Sequence, residues 1–314
     1  VKTILVIIIA SVSGLFLLVE VGLRSLFGFG NPLLYITDEQ IGYLLSPNQK
    51  TRRFGNRIEI NQYSMRGEVI QQTRPSSTLR VFLIGDSIAN GGWWTDQENT
   101  ISSLLRESLL SAKLNNTDKV EVLNASANSW GPRNELAYLK RFGTFQAQVV
   151  VLIINTDDLF ATAPTSLPVG RDRNYPDHKP PLAILEVIQR YVLKPQPIPE
   201  MTAVYQEGGD RVGVNLTAIS EIHDLVKENQ SQFLLVMTPL IRELEEKGSR
   251  DYEIQARQRL VEFTQKQKIN YIDFLPILQK ETDAKSFYHD HIHLNLRGNQ
   301  LVTKTIENKL LETL

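Results

Sequence analysis

An α/β fold built on a five-stranded parallel sheet is predicted by two features of the chain. From residue 79 onward, short aliphatic and β-branched runs alternate with longer segments of helical periodicity. The strand-like runs are apolar throughout rather than alternately polar, as strands covered on both faces are. Connections long enough to hold a helix then impose right-handed crossovers and place helices on both sides of the sheet. With 314 residues, 42% of them hydrophobic and 22% charged, the chain has enough apolar material for such a core.

The first element is the uncharged run 4–19, ILVIIIASVSGLFLLV, preceded by Lys2. As a helix it spans about 24 Å, short of a hydrocarbon core of roughly 30 Å. Extension through Val21 and Leu23 closes the gap if Glu20 and Arg24 reach the interface. Residues 1–24 are expected to be a single-pass membrane anchor; a cleaved signal peptide and a buried helix are the alternatives. No A-x-A-like cleavage site follows the run. Lys2 on one flank, against a nearly cancelling Glu20 and Arg24 on the other, orients the remainder of the protein outside the cytoplasm.

Residues 25–78 read as an irregular juxtamembrane connector punctuated by Gly28, Gly30, Pro32, Gly42, Pro47, Gly55, Gly67 and Pro75. Its Arg52, Arg53 and Arg57 are expected on a solvated face rather than in a lipid-headgroup patch. The domain at 79–314 then unfolds in order: strand 79–85, helix 100–114, strand 120–126, helix 132–145 and strand 148–155. A proline-rich insertion at 156–212, holding one helical segment at 182–193, interrupts the rhythm and is expected to lie over the surface near a site. Helix 214–229, strand 232–238, helix 250–267, strand 269–274 and a last helix from 296 complete the pattern.

Lysine and arginine total 34 against 35 aspartates and glutamates, a net charge of −1, which leaves no basic footprint for nucleic acid. The absence of cysteine removes disulfides, thiolate metal sites and cysteine nucleophiles. Neither a P-loop nor a dinucleotide fingerprint occurs, and no cofactor is expected.

In open parallel sheets, reactive groups gather at the carboxyl ends of the strands. Polar residues at those ends are Gly85-Asp86-Ser87, Asn124 and Ser129, and Asn155, Asp157 and Asp158; Asp290-His291-Ile292-His293 precedes the last helix. Serine, histidine and aspartate are the ingredients of acyl transfer, in which a base takes the hydroxyl proton and a carboxylate orients the imidazole. Ser87 follows a strand-ending glycine, and the spacing of Asp290 and His293 lets one turn present both side chains to a common point. Taken alone, a G-D-S tripeptide reads more readily as a turn with a capping serine than as a nucleophile.

Order and context extend the pattern. VFLIGDSIANGG (81–92) and DHIHLNLRGNQ (290–300), with NASANSWG (124–131) and NTDDL (155–159) between them, resemble the GDSL/SGNH hydrolase superfamily over residues 79–314. INQYSMRGE (60–68) is similar to the lead-in of membrane-anchored members. The resemblance implies a flavodoxin-like three-layer α/β/α sandwich, with Ser87 as nucleophile, His293 as general base and acid, and Asp290 as its orienting carboxylate. The backbone N–H of Ser87 and the second- and third-block positions would form the oxyanion hole.

Two departures stand out. Ser129 occupies the second-block glycine position, a mild change if the backbone there does not need positive φ. Asp157 stands where the family's G-x-N-D motif has an amide-donating asparagine. A carboxylate about 3 Å from a developing oxyanion would oppose it by roughly 5 kcal/mol at an effective dielectric near 20. Three outcomes are open: Asp157 is protonated by burial beside Asp158, Asn155 supplies the amide instead, or the site hydrolyses poorly.

The expected activity is therefore cleavage of acyl esters, on envelope or exported glycans or on lipids. O-acyl transfer to a polysaccharide and a catalytically weak binding protein are the alternatives. Trp93, Trp94 and Trp130 are candidate substrate contacts, with ordinary packing as the competing assignment, and Arg133 shares the ambiguity of Trp130. Arg242 is either an anion contact or an exposed helix charge. His289, His291 and His293 alternate as metal ligands on a strand would, but the segment is already read as D-x-x-H, and no metal is expected.

Overall fold

The computed structural model describes residues 1–113 and 117–313. Helix α1 (Lys2–Gly22) runs into a wider π-type turn at Leu23–Phe27. Two hairpins follow: β1 (Tyr35–Asp38) with β2 (Gly42–Leu45), and β3 (Gln49–Arg53) with β4 (Asn56–Ile60). The main domain continues with β5 (Thr78–Gly85), α2 (Ser87–Asn90), α3 (Ile101–Ser111), β6 (Lys119–Ser126), α4 (Pro132–Phe142) and β7 (Val149–Asn155). Then come α5 (Ala183–Val187), α6 (Pro199–Tyr205), α7 (Arg211–Glu228), β8 (Gln232–Thr238), α8 (Asp251–Gln267), β9 (Asn270–Asp273), α9 (Phe274–Leu278) and α10 (Leu296–Leu311).

The five long-range strands pair in parallel in the order β6-β5-β7-β8-β9. Numbered within the sheet this is the doubly wound, flavodoxin-like order, whose direction reverses between β5 and β7 and opens a crevice at their carboxyl ends. The pleat divides each strand between two cores. Phe82 and Ile84 of β5 face a core shared with α4 and α7, while Val81 and Leu83 face one shared with α3 and α10. Every residue of β5 and β7 is buried, which is why these strands lack polar alternation.

The expected helices and strands of the main domain appear within a few residues of their positions. The helix expected over 100–114 ends at Ser111, and Leu114 lies outside the described residues. The segment expected as one helix over 182–193 is α5 followed by a π-type turn at Ile188–Val192. Helix α6, in the proline-rich insertion, was not signalled.

The segment read as irregular carries four strands. In β3–β4 the pairing Arg53↔Asn56 leaves Phe54 and Gly55 as a two-residue turn with φ of 48° and 91°. Such turns normally carry Asn or Gly at both positions. Phe54 takes the left-handed conformation while its ring packs on Phe27, Phe29 and Trp93, contacts that no local pattern announces.

The foot of α1 is likewise held by tertiary contacts. Glu20 accepts hydrogen bonds from the N–H groups of Ala183 (2.7 Å) and Ile184 (3.1 Å), and from Arg24 Nε (2.7 Å). Arg24 also donates to the Pro181 carbonyl at 3.0 Å. These two residues, expected to reach an interface, instead satisfy the first turn of α5 in the insertion. The rest of α1 exposes its apolar side chains on all sides, with Glu20 its one buried residue.

Candidate active site

The crevice between β5 and β7 gathers the residues singled out by motif. Gly85 ends β5 against its neighbour: a Cβ there would lie 2.4 Å from the Ile153 carbonyl oxygen, so no side chain fits. Asp86 then caps the short α2, its Oδ1 accepting from the Ile88 N–H at 2.8 Å, and Ser87 is turned into the crevice. From the other end of the chain, His293 Nε2 lies 2.9 Å from Ser87 Oγ, and His293 Nδ1 lies 2.7 Å from Asp290 Oδ2.

The D-x-x-H segment is shaped locally. Asp290 Oδ1 accepts from the N–H groups of Ile292 (2.9 Å) and His293 (2.8 Å), while Asn295 caps α10 by accepting from the Gly298 N–H at 3.2 Å. Burial works against ionised Asp290, but the hydrogen bonds from His293 and these two amides outweigh it and hold the carboxyl at about 2. Burial lowers the pKa of His293, and the Asp290 carboxylate opposes that shift. The imidazole is thus poised as a neutral base whose Nδ1 proton is held by a carboxylate.

Two expectations at the oxyanion positions require correction. Ser129 does adopt positive φ, 58°, so its substitution for glycine carries backbone strain; Tyr175 donates to its Oγ at 3.0 Å and braces the turn. Asn155 does not offer its amide to the crevice. Its Nδ2 donates to Asp86 Oδ2 at 2.7 Å and to Asp158 Oδ2 at 2.9 Å, which uses both N–H bonds. Asp157 remains solvent-accessible and is absent from the cavity wall at Ser87; Arg242, Glu253, Glu243 and His291 set its electrostatic surroundings. Desolvation raises its pKa first, the two glutamates add to this, and Arg242 opposes it; Asp158 is not among the principal causes.

The tryptophans separate. Trp94 packs on His293 with ring centroids 4.2 Å apart and stacks on His289 at 5.6 Å, and Trp93 and Trp94 both border the cavity. Trp130, expected as a substrate contact, is fully buried and donates its indole N–H to the Tyr43 carbonyl at 3.1 Å. It is a packing residue, drawn inward because its ring fills the space beside Tyr138. Arg133 is tied to Glu207 and the Ala161 carbonyl, and Arg242 to Glu253. Among the described residues no three His, Asp or Glu side chains converge as metal ligands.

A cluster of buried acids lies behind the nucleophile. Asp86, Asp158 and Glu135 are all desolvated, which raises the pKa of each, and Asp86 raises that of the other two further. Neither carboxyl oxygen of Glu135 has a hydrogen-bond partner among the described residues. The sequence signal for Glu135 was hidden, since a glutamate in the first turn of a helix reads as an ordinary solvated charge.

Ser87 and His293 open onto a cavity of about 410 Å³. Further lining comes from Arg53 and Phe54 of the second hairpin and from Arg173, Tyr175, Arg190 and Tyr191 of the insertion. Arg53, expected on a solvated face, is buried and paired with Glu186, whereas Arg57 is exposed and pairs with Asp96. Aromatic contacts run from the foot of α1 to the imidazole: Phe27 to Phe54 (5.9 Å), Phe54 to Trp93 (5.4 Å), Trp93 to Trp94 (5.8 Å) and Trp94 to His293.

A doubly wound sheet with a serine–histidine–aspartate relay at its switch point is the architecture of the SGNH hydrolases. The chain belongs to the GDSL-like lipase/acylhydrolase family, whose profile it matches over residues 83–301. Ester hydrolysis is the chemistry of that family, and this chain is an enzyme of that type. Among solved structures, the acetyl xylan esterase AlAXEase is 14% identical with a TM-score of 0.51, covering 74% of this chain and 100% of its own. A lipase/acylhydrolase from Enterococcus faecalis (12% identity, TM-score 0.46) covers 74% of this chain and 95% of its own. A catalytic mutant of an acetylxylan esterase from Geobacillus stearothermophilus (12%, 0.47) covers 74% and 94%. A search of curated protein sequences returned no match.

Proposed function

We propose that this protein is a membrane-anchored serine esterase that cleaves acyl esters through a Ser87 acyl-enzyme. The observation that carries this reading is the unbroken relay from Ser87 Oγ through His293 to Asp290, with separations of 2.9 and 2.7 Å, opening on a cavity. Ser87 Oγ attacks the ester carbonyl while its proton passes to His293 Nε2. The imidazolium is stabilised by Asp290, and the oxyanion is received by the backbone N–H groups of Ser87 and Ser129. Collapse expels the alcohol, which takes the proton from His293 Nε2. Water, deprotonated by the same nitrogen, then attacks the acyl carbon, and Ser87 leaves with its proton restored.

Anchoring is supported by α1, an apolar helix exposed on all sides, and by Lys2 on the flank away from the domain, which favours a site outside the cytoplasm. Such a location makes envelope or exported glycans, or lipids, the substrates within reach. The acetyl xylan esterases among the structural neighbours supply the glycan precedent by name alone. The test is labelling with a fluorophosphonate probe. Wild-type protein is expected to label and Ser87→Ala not to; retention of label in Ser87→Ala would remove the mechanism.

A further inference from the structure

The cavity beside Ser87 has a one-sided charge. Three arginines, Arg53, Arg173 and Arg190, border it, and no aspartate or glutamate does among the described residues. Behind this wall lies one buried carboxylate, Glu186, shared between Arg53 Nη2 and Arg190 Nε (2.8 Å) and further committed to the Gly30 N–H (2.6 Å); Asp172 and Asp177, beyond Arg173, are not buried. Arg173 pairs with no carboxylate among the described residues; its Nη1 donates to the carbonyl oxygens of Arg190 (2.6 Å) and Leu193 (3.4 Å). Three guanidinium groups therefore face one buried counter-charge.

Arg53 adds a second, independent observation. Its side chain is 9% exposed, and its Nη1 is buried with no hydrogen-bond partner among the described residues. The Phe29 ring, 4.4 Å from the guanidinium carbon, offers a π face but no acceptor. With Nη2 held by Glu186, the guanidinium is an incomplete pair with one nitrogen left to donate, and a carboxylate or phosphate oxygen completes it. Burial accordingly depresses the pKa of Arg53, with Glu186 only partly offsetting it.

We infer that the substrate ester carries an anionic group, a carboxylate or a phosphate, and that Arg53 with Arg173 and Arg190 receives this group while Ser87 attacks the acyl carbon. This rests on the esterase reading above and narrows its substrate class. The aromatic contacts between the arginines and His293 fit an apolar spacer between the anion and the scissile bond.

The test uses the full chain in detergent and two matched ester pairs. One pair differs on the alcohol side, 4-acetoxybenzoate against 4-acetoxybenzamide. The other differs on the acyl side, mono-4-nitrophenyl succinate against 4-nitrophenyl butyrate. At least one anionic member is expected to exceed its neutral partner tenfold or more in kcat/KM, mainly through a lower KM. Arg53→Met is expected to reduce that ratio at least tenfold. Arg173→Gln, a change at an exposed side chain, is expected to reduce it about threefold. Equal turnover within both pairs, or a preference that survives both substitutions, overturns the inference. Fluorophosphonate labelling without anion preference sinks this inference alone; absence of both labelling and turnover sinks the esterase reading beneath it.

Discussion

The two walls of the crevice are built from unlike material. On the sheet side, Ser87, Asp290 and His293 sit in short local motifs: a strand end, a capped turn and a loop folded by its own aspartate. On the facing side, Arg53, Arg173 and Arg190 come from a hairpin and a proline-rich insertion remote from each other in the chain, joined through Glu186. The first wall holds the candidate acyl-transfer groups; the second joins a hairpin outside the family match to an insertion within it. On the proposed reading chemistry and specificity are separable, and substitutions in each wall test one without the other.

The largest effect is expected on the sheet side. Ser87→Ala should lower kcat/KM for a simple acetate ester by a factor on the order of 10⁴ to 10⁶, with circular dichroism and Tm little changed. Asp290→Asn keeps the shape but lets the imidazole take the wrong tautomer, and should cost roughly 10⁴-fold in kcat under steady-state assay. A loss below tenfold in either variant would mean that the relay is not the working machinery.

The pH profile gives a finer check. Because burial lowers the His293 pKa, the acid limb of kcat/KM should have its midpoint below 6.5, and activity should fall as pH drops through it. A midpoint above 7 would show that the Asp290 carboxylate, not burial, dominates the imidazole.

At the crevice edge, Asp157→Asn should raise kcat about three- to fivefold. It removes a solvent-accessible negative charge outside the cavity wall, whose opposition to the developing oxyanion through high dielectric is roughly 1 kcal/mol. A fall in kcat would mean that Asp157 is used productively.

Glu135 tests the packing behind the nucleophile. Burial raises its carboxyl pKa above the unfolded value, so the folded state loses stability as pH rises above about 4.3. Glu135→Met should therefore raise Tm, by a few degrees at pH 8 and by less at pH 5, given roughly 1–3 kcal/mol for an unsatisfied buried group. An unchanged or lower Tm at pH 8 would show that Glu135 is satisfied by groups outside the described contacts.

Comparing expectation with structure, legibility followed locality. Strand 232–238 was read to the residue, because an apolar run between helical segments has few other solutions. Ser87, His293 and Asp290 were read from their motifs, and the distances between them agree with that reading. Ser129 and Asn155 went the other way. The first needs φ of 58°, and the second spends its amide on Asp86 and Asp158. Neither fact is written in a residue type, since a backbone angle and a hydrogen-bond partner both depend on what packs alongside. Trp130 and Arg53 were misplaced for the same reason: one turned inward to Tyr43, the other inward to Glu186.

By itself, the order of residues determined the sheet, its helices, the apolar α1 and the candidate acyl-transfer groups. Periodicity and short-range turn chemistry express themselves within a few residues. Only tertiary structure decided which charges lie in the cavity and which face water. Burial is a property of the whole packed chain, and the same arginine is a solvated surface charge or a buried partner of Glu186 according to whether distant segments close over it.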